Sequence, residues 1–141
     1  MTPLQKQVYN TYNGLQSLFD NMDACHFLVL CSIIHESTGH SVNIFRLITH
    51  CVLAGWITES FFVNDAVAIL EYATGHRWSV RYVRTLPATI QENEFTEEQW
   101  FNPRTGFEHF KRRFLDTLLY SVTVKEGYIK QYRIYTMGGA K

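Results

Sequence analysis

The order of patterns along the chain predicts an α+β fold, with helices first and an antiparallel sheet last. Three observations predict it. Up to Gly75, apolar side chains recur at helical spacing in stretches bounded by capping residues and glycines. After Gly75 the period changes, and "WSVRYV" alternates as a strand does. From Phe107 onward further β-type segments follow one another, which is not the order of a βαβ repeat. A chain of 141 residues is most simply one domain, residues 1–141, and is long enough to bury a real core.

Each element follows from its own residues. Leu4, Val8, Tyr9, Tyr12, Leu15, Leu18 and Phe19 give a first helix within residues 3–20. Asp23 is a cap for a second, from Ala24 to Glu36, with Phe27, Leu28, Cys31, Ile34 and His35 as its buried stripe and Gly39 as its stop. Asn43 opens a third helix that runs through Cys51 and Leu53 to Gly55. Asn64 or Asp65 caps a fourth, closed by Gly75. Residues 84–104, with Pro87, Pro103 and many Glu, Asn and Gln, read as an extended and partly irregular connection. "FEHFKRRFL", "YSVTVK" and "YIKQYRIYTM" are β-type, with Gly127 marking the last turn. The expected sheet is built from residues 78–83 and 107–136.

Composition narrows the function classes. Hydrophobic residues make up 46% and aromatics 15% of the chain, which is a packed globular composition. Thirteen basic residues balance thirteen acidic ones, so nothing here provides the basic face that a nucleic-acid binder needs. The longest apolar run, "HFLVLCSII", is far short of a membrane span, and "MTPLQKQVYN" has no signal-peptide pattern. With three cysteines, an odd count, the economical expectation is reduced thiols in the cytoplasm.

The string "HESTGH" is one letter from the zinc-peptidase pattern H-E-x-x-H. That chemistry needs two histidines four residues apart, on one helical face. His35 and His40 are five apart, roughly 140° around a helix, and Gly39 intervenes. No pair among Cys31, His35, His50 and Cys51 has a ligand spacing either, so no metal and no cofactor is expected. Cys31 and Cys51 read as buried structural thiols.

Cys25 differs, because a cap at Asp23 places it in the first helical turn, where unpaired N–H groups and the macrodipole favour a thiolate. A nucleophilic thiol needs a base, and the candidates are His26, His35, His40, His50, His76 and His109. His26 is the immediate neighbour of Cys25 and points elsewhere on the helix. His109, in "TGFEHF", is the favoured base, and a reversal within "KRRF" would return Asp116 beside it to orient the imidazole. This layout, a cysteine heading the central helix followed by a β region with His and Asp, resembles the papain-like (cysteine proteinase) fold and, within it, bacteriocin-leader-processing peptidases. "TGFEHF", "YSVTVKEGYIKQYRI" and "NDAVAILEYATGHRWSVRYV" are also similar to an uncharacterised bacterial family of small proteins assigned to that fold. The resemblance covers roughly residues 22–136 and implies a catalytic-type constellation of Cys25, His109 and Asp116.

Two features depart from the pattern. Papain-like peptidases usually carry a Gln about six residues before the cysteine as an oxyanion donor, whereas here Gln16 stands nine before and Asn21 four before. Asp20 and Asp23 also bring negative charge that opposes thiolate formation. The expected function is a cysteine peptidase or related amide-bond hydrolase acting on a peptide or protein. The alternatives are an inactive papain-like domain that binds peptide or protein, and a structural protein whose Cys and His are core. Trp78, Tyr82, Trp100, Phe101, Phe107 and Phe110 read as core or cleft wall, and Trp100 as a residue of a peptide groove.

Overall fold

The computed structural model describes residues 2–16, 24–112 and 127–141. Four helices, α1 (Pro3–Gln16), α2 (Cys25–Thr38), α3 (Ile44–Ala54) and α4 (Ala66–Thr74), precede four strands. The strands are β1 (His76–Val83), β2 (Glu94–Phe101), β3 (Glu108–Arg112) and β4 (Tyr128–Ala140). They form one antiparallel sheet in the order β1-β4-β2-β3. The α+β order expected from the sequence is the order observed.

Helix ends follow local chemistry. At α1, Thr2 and Gln5 exchange side-chain-to-backbone bonds of 3.0 and 3.1 Å, a reciprocal cap that satisfies two of the donors a helix start leaves open. Asn43 Oδ1 accepts from the Arg46 N–H at 3.2 Å, and Asp65 Oδ1 from the Ala68 N–H at 3.0 Å. The helix α2 starts differently, with Ala24 in the cap position and no side-chain cap bond. Asp23, the expected cap, lies outside the described residues. Gly39, Gly55 and Gly75 each close a helix in the left-handed conformation that glycine adopts without steric cost.

The sequence suggests one buried stripe on α2, but every side chain from Cys25 to His35 is buried. A helix apolar nearly all round has to be a central one. Here α1, α4 and β3 all pack against it, and its residues form the middle of the core with Val8, Tyr12, Leu47, Cys51, Ile69 and Leu70.

The connection expected to be irregular contains β2, inserted between β4 and β3. Phe95 through Gln99 are all buried, although four of these five are polar or charged. β-propensity reads Glu and Gln as poor strand formers. They are accommodated because partners on other elements satisfy them, which a single segment of sequence does not display.

The sheet has two distinct faces. Cross-strand partners share a face, and the registers align Trp78 with Met137, Val80 with Tyr135 and Tyr82 with Arg133. They also align Tyr135 with Phe95, Arg133 with Glu97, Glu97 with Arg112 and Gln99 with Phe110. This is the face against α2, since Phe110 stacks on His26 and Arg112 Nη1 donates to Ser32 Oγ at 3.1 Å. The opposite face carries Glu98, Trp100, His109 and Lys111. There Lys111 Nζ lies 3.5 Å from Glu98 Oε1 and 4.4 Å from the Trp100 ring centroid. Among the described residues, no helix is long and apolar enough to cross a membrane.

Candidate binding cleft

A cleft opens at the head of α2, lined by His26, Phe61, Phe62, Val63, Glu108, Phe110 and Arg133, with a volume of about 190 Å³. Its polar floor belongs to α2, β2 and β4. His26 Nδ1 lies 2.7 Å from Glu97 Oε2, and Tyr135 Oη donates to Glu97 Oε1 at 2.8 Å. Arg133 Nη1 lies 2.9 Å from His26 Nε2, and Arg133 Nη2 donates to Gln99 Oε1 at 3.2 Å. A guanidinium only donates, so Nε2 of His26 is the acceptor. The ring proton therefore sits on Nδ1 and is given to Glu97.

The network continues outward. Gln99 Oε1 also accepts from Gln131 Nε2 at 2.8 Å, while its Nε2 donates to Glu108 Oε2 at 2.8 Å. Lys130 Nζ donates to Glu108 Oε1 at 3.1 Å. Glu97 is wholly inaccessible, a placement that is tolerable for a carboxylate only with such partners. Burial works against the charged guanidinium of Arg133, but Glu97 and Tyr135 beside it outweigh that and its pKa is raised. Burial first, and then the Glu97 charge, push the Tyr135 hydroxyl well above its ordinary range, so it stays a donor.

The apolar wall comes from the turn between α3 and α4. Ile57 and Val63 form a short antiparallel bridge, and Thr58 N–H donates to the Phe62 carbonyl at 2.9 Å. Phe61 closes this turn with φ +68°, a conformation that bulky side chains rarely adopt. Strain of this kind persists only where the surroundings hold it. Phe61 is buried, 5.8 Å from the Phe27 ring, whereas Phe62 is 67% exposed.

The residues expected to form a catalytic set are distributed as follows. Cys25 is the first residue of α2, is 5% exposed and is a free thiol. His109 lies in β3 and is buried. Because Phe110 and Arg112 face α2, strand alternation turns His109 to the other face of the sheet. Cys25 and His109 thus approach β3 from opposite sides. Asp116, Asp20, the "KRRF" reversal beyond Arg112 and the "YSVTVK" strand lie outside the described residues.

The other singled-out residues are structural. His35 is buried in the last turns of α2, and His40 is exposed beyond Gly39. Cys31 and Cys51 are fully buried. Burial pushes the Cys51 thiol up to about 11, and burial together with Cys51 holds the Cys31 thiol well above its usual value. His50 stacks flat on Tyr72 at 3.7 Å. Among the described residues, no group of three or more His, Cys, Asp or Glu side chains is disposed to hold a metal ion.

The cleft's chemical residues are thus His26, Glu97, Gln99 and Arg133. The sequence reading set His26 aside as a base for Cys25 and placed Glu97 and Gln99 in a loop. The available signal was alternation of Phe95, Glu97 and Gln99 against Glu94, Thr96 and Glu98, masked because both sets are mostly polar. Comparison of the chain with family models, curated proteins and solved structures found no match.

Proposed function

We propose that this chain is a papain-like domain that binds a peptide or protein segment in the cleft at the head of α2. The observation that carries the reading is the composition of that cleft. An apolar wall of Phe61, Phe62, Val63 and Phe110 faces a rigid hydrogen-bonded floor, the usual make-up of a recognition site. Support for papain-like architecture comes from the central helix, headed by a cysteine and packed on an antiparallel sheet.

The second reading is a cysteine peptidase or amide-bond hydrolase using Cys25, His109 and Asp116. It is favoured by one observation, the place of Cys25 at the first residue of α2, where the helix field stabilises a thiolate. The turn of His109 away from α2 favours binding over hydrolysis.

One titration separates the two. A tryptic digest of casein is added to the isotope-labelled protein, and the imidazole and aromatic NMR signals are followed. Binding predicts shifts at His26, Phe62 and Phe110, unchanged in Cys25→Ala, with the peptides intact by mass spectrometry. Cleavage by wild type and not by Cys25→Ala would establish the hydrolase instead. Absence of any shift at the cleft and of any cleavage would dismiss both.

A further inference from the structure

The position of Arg133 points to the kind of ligand end that the cleft takes. Its guanidinium is flanked by the Tyr82 ring from β1 at 5.2 Å and the Phe110 ring from β3 at 5.1 Å. Stacking of this type holds the planar group edge-on and limits the freedom it would lose on binding. Both terminal nitrogens are steered from behind, Nη1 by His26 Nε2 and Nη2 by Gln99 Oε1. Each of these acceptors is uncharged and takes one N–H, which leaves a second N–H on each nitrogen. Two parallel donors on a fixed plane are the geometry that a carboxylate fits with both oxygens.

The neighbouring charges sharpen the choice. Glu97 is engaged by His26 and Tyr135 beneath the floor. Glu108, the only carboxylate among the cleft-lining residues, is engaged by Gln99 and by Lys130. Arg133 is the only cation among the residues lining the cleft. Beside it, Phe61, Phe62 and Val63 provide an apolar wall for a single side chain. We infer that the cleft recognises the C-terminal residue of a peptide, with its α-carboxylate on the Arg133 fork and its apolar side chain against Phe61, Phe62 and Val63. This rests on the binding reading above and narrows it to one end of the ligand.

The test uses a fluorescein-labelled hexapeptide ending in Leu-Phe with a free carboxylate, the same peptide as its C-terminal amide, and an amidated version with Glu before the Leu. Anisotropy and NMR titrations with the wild-type protein are expected to give binding for the free acid at least about tenfold tighter than for either amide, the loss that follows when a two-point charged contact is removed. Arg133→Lys keeps the charge but not the fork and should reduce the preference for the acid. Phe62→Ser, at an exposed position, should weaken acid and amide alike. If the internal Glu peptide binds as well as the free acid, the cleft reads any carboxylate and the C-terminal assignment fails. If acid and amide bind equally with shifts at His26 and Phe110, the carboxylate inference fails while the binding reading stands. If none of the three binds at millimolar concentration, both fail. The acid-to-amide comparison on the wild type decides the matter even where Arg133→Lys does not fold.

Discussion

At the scale of single residues, two histidines on one helix show how burial with and without partners diverges. His26 is held by Glu97, Arg133 and the Phe110 ring, 4.2 Å away. Removing a member of such a buried set leaves charge uncompensated, which costs about 3–5 kcal/mol in comparable cases. His35, three turns further on average along the same helix, is equally buried but neither ring nitrogen has a hydrogen-bond partner. Its nearest ring is Tyr12, edge-on at 5.8 Å. Burial first, and the neighbouring His40 second, hold its pKa below the ordinary value. The sign for stability follows directly. Above about pH 6.5, the unfolded value, His35 is neutral in both states and has no effect. As pH falls through that value the unfolded chain takes up the proton first, so stability is lost until the folded value is reached. Urea midpoints measured between pH 7.5 and 5 should therefore fall more steeply for wild type than for His35→Leu. The difference in slope cannot exceed one proton's worth, about 1.4 kcal/mol per pH unit. Parallel curves for the two proteins would show that His35 is already protonated, or accessible, in the folded state.

At the scale of elements, the edge strand β3 depends on a single arginine. Arg112 is 1% exposed, and its two terminal nitrogens donate to Ser32 Oγ at 3.1 Å and Glu36 Oε2 at 2.9 Å, both on α2. Ser32 Oγ in turn donates to the Val29 carbonyl at 2.6 Å, which fixes its lone pairs toward the guanidinium. Arg112→Met should cost about 3 kcal/mol, the lower end for breaking a buried ion pair. Arg112→Lys should recover less than half of that, since one ammonium cannot span both acceptors. Chemical denaturation gives both values, and full recovery by lysine would show that charge alone anchors the strand. This element also marks where the sequence stops being legible. The ends of α3 and α4 could be read directly, because Asn43, Asp65 and the closing glycines act within a few residues of themselves. Strand β1 could be read for the same reason, its alternation being local. Strand β2 could not, because Glu97 and Gln99 are made acceptable by His26, Arg133 and Glu108, which stand 71, 34 and 9 residues away along the chain. For the candidate site, Cys25 was legible as the head of α2, whereas the cleft beside it depends on cross-strand register, which no single segment encodes.

At the scale of the whole molecule, the arrangement is a central helix enclosed by the other elements, with β4 as the interior strand that unites the sheet. β4 pairs with β1 along one edge and β2 along the other, so neither neighbour can separate without exposing it. Its end is fastened too, through Lys141 N–H to the Gly75 carbonyl at 2.9 Å. α2 packs against α1, α4 and β3, and Cys31 on it is fully buried, as is Cys51 on α3. Elements that share one core without an internal seam are expected to open together and not piecewise. The two thiols report on this, because both have pKa values raised by burial and a buried thiol must reach solvent and ionise before it reacts. Alkylation of Cys31 and Cys51, mapped by mass spectrometry at rising urea, should then show the same steep urea dependence for both, matching that of global unfolding by circular dichroism. Cys25, at the margin of the core, is expected to react at lower urea than either. A shallow dependence for Cys51 with a steep one for Cys31 would mean that α3 detaches on its own. The core would then consist of α2, its flanking helices and the sheet, with α3 a separate unit laid against it.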